Sequence, residues 1–141
     1  MPVCPECGAD LAEDQLCDEL FHRVLAWEQY DLEGNGRYHH MLVMSWELQH
    51  ASRFSDETLA WARESLRRAV REGVPAAQLR REVSAWAPQD RRTFKITREG
   101  GEVIAREWSR TLSDVVAEGI EGMPESVLRW AEAILDDLER D

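Results

Sequence analysis

No cysteine follows Cys17, no apolar run approaches the roughly 18 residues that would cross a bilayer, and 17 basic side chains face 28 acidic ones. Each shortage excludes something. Three cysteines confined to the first seventeen residues cannot pair off as a secreted disulfide framework does, so a cytoplasmic location is expected. No apolar stretch follows a basic N-terminal region, so neither a secretory leader nor a membrane span is expected. The net charge of −11 would repel nucleic acid, even though Arg63, Arg67, Arg68, Arg71, Arg80 and Arg81 gather in the middle third, where they read as a solvated helix face. A serine nucleophile elbow, a phosphate-binding glycine loop and an HExxH helix are all missing. Repeats, low-complexity tracts and Pro/Ser/Gly-rich linkers are missing too, which leaves one domain over 1–141, divided into an amino-terminal segment (1–17) and a core (18–141).

What is present begins with Cys4-Pro5-Glu6-Cys7-Gly8, written as a zinc knuckle is written. Two cysteines two residues apart can chelate one ion from a tight turn, and Gly8 supplies the backbone freedom such a turn needs. Cys17 offers a third thiolate. Zinc suits this donor set better than an iron–sulfur cluster, which usually takes four thiolates. Three thiolates and one neutral imidazole would form a closed, structural site with no position for substrate, and they would add one further negative charge.

The remainder reads as helices. Leu20, Phe21, Val24, Leu25 and Trp27 recur at spacings of three and four between Leu16 and about Asp31. After the Gly34-Asn35-Gly36 break, a second stretch from Tyr38 to His50 carries Leu42, Val43, Trp46 and Leu48, so the two form an antiparallel hairpin. Ser55 and Asp56 cap a third helix with Leu59, Ala62, Leu66, Ala69 and Val70 inward and Gly73 as its stop. A shorter helix holds Leu79, Val83 and Trp86; residues 93–105, with Phe94, Ile96 and Val103 around Gly100-Gly101, read as a small β-hairpin or extended excursion. Helical periodicity returns at Trp108, Leu112, Val115 and Val116, and again after Pro124 with Val127, Trp130, Ala131, Ile134 and Leu138. The six tryptophans, spread one per element, fit core packing rather than a stacking surface. The fold class is mainly α: a helical bundle with the zinc knuckle docked on a helical hairpin.

The fourth ligand follows from hairpin counting. Cys17 lies seventeen residues before Gly34 and His50 sixteen after it, so both stand at one level beside the knuckle, and His50 is the first choice. His39 is the second; it precedes His50 by eleven residues, roughly 16 Å along a straight helix, so one ion cannot be held by both. His22 and His40 read as ordinary core or surface residues, and they and an external ligand are the remaining alternatives for the fourth position. The same counting brings Glu28 to His39, a pair that suits a buried hydrogen bond, half of a second metal site, or proton transfer.

The segment Cys4-Pro5-Glu6-Cys7-Gly8-Ala9, the later Cys17, the stretch His39–Val43–Trp46–Gln49-His50, and Trp108, Thr111 and Trp130-Ala131 together resemble an uncharacterised bacterial family of small cytoplasmic proteins. Its members open with a Cys-Pro-x-Cys-Gly-Ala knuckle and carry a helical histidine segment ending in Gln-His-Pro. Here that segment ends in Gln49-His50-Ala51, and Trp46 stands where tyrosine is common; neither departure removes a ligand. The resemblance implies the metal site without naming a reaction. The expectation is therefore a Zn²⁺ protein with Cys4, Cys7, Cys17 and His50 as ligands, acting as a protein-binding or regulatory module. Its rivals are a small metal-dependent or acid–base enzyme using Glu28 and His39, and a thiol redox sensor.

Overall fold

A computed structural model describes residues 2–86, 101–103 and 106–140 of the chain. It is mainly helical: α1 (Cys17–Glu28), α2 (His39–Gln49), α3 (Asp56–Arg71), α4 (Ala76–Trp86), α5 (Leu112–Glu118) and α6 (Glu125–Glu139), with 3₁₀ turns at Asn35–Tyr38, Ala51–Arg53 and Ile120–Gly122. The hairpin expected at 93–105 lies for the most part outside the described residues, as do the side chains of Val83 and Trp86. Residues 101–103 are not in a strand.

The helix signals act as their chemistry requires. The Ser55 hydroxyl accepts the Thr58 amide at 3.2 Å, Asp56 and Glu57 occupy the first turn of α3, and Arg68 and Arg71 the last, each sign complementing the helix dipole. Gly73 follows with φ +69°, the left-handed conformation that glycine adopts without strain. Ala62, Leu66 and Ala69 of α3 meet Val127, Trp130, Ala131 and Ile134 of α6 in one buried core.

α2 departs from the amphipathic expectation. Met41, Leu42, Met44, Ser45, Trp46, Leu48 and Gln49 are all buried, so this helix is surrounded rather than laid on a surface, and it packs against both α3 and α6. α1 packs against α5 and meets α2 through side chains. It ends at Glu28, three residues before the expected Asp31, because Asp31 is taken up by the turn. Its carboxylate accepts the Gly34 amide at 2.9 Å and its carbonyl accepts the Asn35 amide at 2.7 Å. Of the described tryptophans, Trp46 and Trp130 are buried, and Trp27, Trp61 and Trp108 pack partly buried against the same core.

The amino-terminal segment is folded by its own backbone. The Cys4 amide donates to the Ala9 carbonyl at 2.8 Å and the Gly8 amide to the Cys4 carbonyl at 2.9 Å, with Gly8 at φ +80°. A bridge between Val3 and Asp10 closes the turn, and the Asp10 amide reaches Ser113 Oγ at the start of α5. Ala9 and Leu11 are buried with the helical core.

Candidate metal centre

The antiparallel register of α1 and α2 places the candidate residues at two levels. Cys17 and His50, Phe21 and Trp46, and Glu28 and His39 are three facing pairs, each symmetric about the Glu33–Gly34 peptide. Along each helix the members are separated by four and then seven residues, the spacing that keeps side chains on one face. The thiol and imidazole therefore stand at one end of the hairpin and the carboxylate and second imidazole at the other, with the Phe21–Trp46 ring contact between them, centroids 4.5 Å apart.

At the knuckle end, Cys4, Cys7, Cys17 and His50 each present one donor atom, and these atoms all lie within 4.8 Å of one another. Cys7 Sγ is 3.6 Å from Cys17 Sγ and Cys4 Sγ is 3.8 Å from His50 Nε2. Metal–sulfur bonds of about 2.3 Å in a tetrahedron give sulfur–sulfur edges of about 3.8 Å, so the quartet is spaced as the corners of one coordination sphere. All four residues are buried, His50 completely. This cluster can hold a metal ion.

The imidazole is aimed by what surrounds it. The Trp46 carbonyl can only accept, so His50 Nδ1, 2.9 Å away, donates to it, which leaves Nε2 as the ring nitrogen that faces the sulfurs. The ring also stacks on Trp46 at 3.6 Å between centroids and 28° between planes. The thiols share protons unequally. A hydrogen bond from Cys17 is the largest influence holding Cys7 down at about 4, with His50 adding to it against the effect of burial. The same bond, followed by burial, drives Cys17 upward. A thiol donating to a buried thiolate is the arrangement a metal cation replaces, taking the place of the proton.

Two clamps brace the candidate ligands, and neither was visible in the sequence spacing. Glu6, one residue before Cys7, accepts the Ser52 hydroxyl at 2.5 and 3.0 Å. Asp18, one residue after Cys17, receives Arg53 Nη1 at 3.0 Å on both carboxylate oxygens. Ser52 and Arg53 lie just past His50, and the Arg53 guanidinium also covers the Trp46 ring at 5.4 Å. Each clamp thus joins the neighbourhood of a cysteine of the cluster to the turn that follows His50. Only the acidic residues beside Cys7 and Cys17 hinted at them.

At the far end of the hairpin His39 Nδ1 is 2.7 Å from Glu28 Oε2. Glu28 is buried while the His39 side chain is 56% exposed. Burial raises the Glu28 carboxyl above its ordinary range and His39 opposes that rise. His39 stands away from the cysteine cluster, as does His40, whose charged form is disfavoured first by burial and then by Arg80 and His39. A cavity of about 580 Å³ borders Leu48, Gln49 and Ser52, at the knuckle end of α2.

Three arginines of the middle third are ion-paired within the chain. Arg67 meets Glu64 and Glu72, Arg68 meets Glu82, and Arg71 meets Asp136 and Glu139. These three arginines thus stand in ion pairs at the solvated surface. Among the described residues no helix is long and apolar enough to cross a membrane.

Residues 2–139 match the model of one protein family, described as a family of unknown function, DUF5946. No curated protein and no solved structure matches the chain.

Proposed function

The chain belongs to DUF5946, a family without an assigned activity, and we propose for it a structural zinc site of the Cys₃His type, with Cys4, Cys7, Cys17 and His50 as ligands, in a cytoplasmic protein-binding or regulatory module. The observation that carries the reading is the buried quartet of donor atoms within 4.8 Å, completed by an imidazole whose Nδ1–H is committed to the Trp46 carbonyl. Three thiolates and an imidazole are a borderline-soft, tetrahedral donor set that favours zinc over the harder divalent cations. When bound, the ion would supply charge for three thiolates and join the amino-terminal segment to both helices of the hairpin. With four protein donors there is no open position for substrate, so its contribution is to folding. Burial of the thiols favours this over redox sensing, because an oxidant needs access to a thiolate.

A partner role has support on the surface beside the site. Val3 and Leu16, the immediate neighbours of Cys4 and Cys17, are 52% and 65% exposed, so the two residues that flank the ligands offer apolar surface to solvent. The Glu28–His39 pair reads as the hydrogen bond that locks the opposite end of the hairpin. The zinc reading is tested by titrating chelator-stripped protein with Zn²⁺ and with Mg²⁺ while following its thermal transition. Stabilisation by Zn²⁺ alone supports the site, and an unmoved transition with Zn²⁺ removes it.

A further inference from the structure

One arginine of α3 differs from its neighbours. Arg67, Arg68 and Arg71 each meet carboxylates, whereas among the described residues the Arg63 guanidinium meets only the Leu138 carbonyl, at 3.4 Å. The Arg63 side chain is exposed, and among the described residues no carboxylate meets its guanidinium, so its remaining N–H donors face solvent. Arg63 also borders the cavity of about 580 Å³, a volume in the range of small-molecule sites. Leu48, Leu59, Leu138 and the Trp108 ring make its apolar wall. Arg106 lies 4.8 Å over that ring while its Nη2 donates to the Asp137 carbonyl at 2.9 Å, which gives Trp108 a braced, cation-backed face.

We propose that this cavity binds a small organic monocarboxylate with an apolar body, its carboxylate on Arg63 and its body against Leu59, Leu138 and Trp108. A planar carboxylate matches the guanidinium fork, and an aliphatic or aromatic body matches the wall. Glu6, Asp56 and Glu102 border the same cavity, and their charges act against a multivalent anion such as phosphate or a nucleotide. Arg63 stands two helical turns from Asp56 on α3, about 10 Å along the axis, and Arg106 borders the recess beside Trp108. Since Glu6 belongs to both the knuckle and the cavity wall, the site is contiguous with the metal centre, but metal content is measured separately, and either reading can fail alone.

The test uses ¹⁵N-labelled protein as purified, titrated with 3-phenylpropionate, with its uncharged amide 3-phenylpropanamide, and with inorganic phosphate, while the Trp108 indole and the Leu59 and Ala60 amide signals are followed. Saturable shifts are expected with the acid, with the amide at least about tenfold weaker and phosphate ineffective. Arg63→Gln should weaken the acid to the level of the amide, and Arg67→Gln, whose partners lie within the surface ion pairs, should leave it unchanged. Equal binding of acid and amide, an unaltered titration in Arg63→Gln, competition by phosphate, or no shift up to the solubility of the acid would each overturn the proposal. The amide comparison needs no variant and so stands even if Arg63→Gln folds poorly.

Discussion

Replacing His50 by alanine separates the metal centre from the second imidazole more sharply than any other single change. The ring is completely buried and stacked 3.6 Å from Trp46, so truncation leaves a void where an aromatic side chain was packed, and that alone costs about 3 kcal/mol. Loss of one donor in four then weakens the metal, and every tenfold loss of affinity at saturating metal removes about 1.4 kcal/mol of linked stability. In a chain of this size 1 kcal/mol moves the transition by about 3 °C, so His50→Ala should melt about 10 °C or more below the parent even in excess Zn²⁺. His39→Ala is the control. Its side chain is half exposed, and its loss leaves Glu28 without a partner, for about 1–2 kcal/mol, but the quartet is untouched. Differential scanning fluorimetry with and without chelator, read beside bound metal, distinguishes them. Metal retained in His50→Ala with a transition within about 2 °C of the parent, or metal lost only in His39→Ala, refutes the register on which the site depends.

Cys7→Ser should lose the metal and a comparable share of stability, and an unmoved melt would show that the knuckle is peripheral to the fold. Glu6→Gln weakens the brace to Ser52 and should lower zinc affinity by about 10-fold or more in competition with a chromophoric chelator; unchanged affinity would mean the clamp does not orient the ligands. Glu47 offers a test by pH. Burial holds its carboxyl up at about 7 against an ordinary 4.5, so between these values the folded chain keeps a proton that the unfolded chain has released, and stability falls as pH rises through that window. Glu47→Gln should therefore gain stability relative to the parent on going from pH 5 to pH 8, by about 1–2 kcal/mol, and parallel pH profiles in urea unfolding would contradict this.

The parts of the fold legible in the sequence are those with a single buried stripe. Ala62, Leu66 and Ala69, and Val127, Trp130, Ala131 and Ile134, recur at helical spacing and are buried on one face, with Ser55 capping where a cap was expected. The hairpin register was legible too: counting outward from the glycine break matched Cys17 to His50 and Glu28 to His39, and the match held even though the connection, 29–38, includes a 3₁₀ turn. α2 was not legible as the central helix. Apolar residues all round it, with Met41 and Met44 as buried as Leu42, carry no phase that says which neighbour lies on which side. Contacts between distant residues were equally silent. Gln49 bridges the Arg110 carbonyl at 2.8 Å and the Trp130 indole at 3.2 Å, and the Glu6–Ser52 and Asp18–Arg53 clamps span 46 and 35 residues. Such pairs are set by tertiary packing, and local periodicity holds no trace of them.

The central claim is that three thiolates and one imidazole hold a zinc ion, and elemental metal analysis of untagged protein, expressed as moles per chain beside a native free-thiol count, tests it most directly. The account predicts about one zinc per chain with all three thiols protected until the chain is denatured or chelated. Metal-free protein whose thiols react at once under native conditions would contradict it.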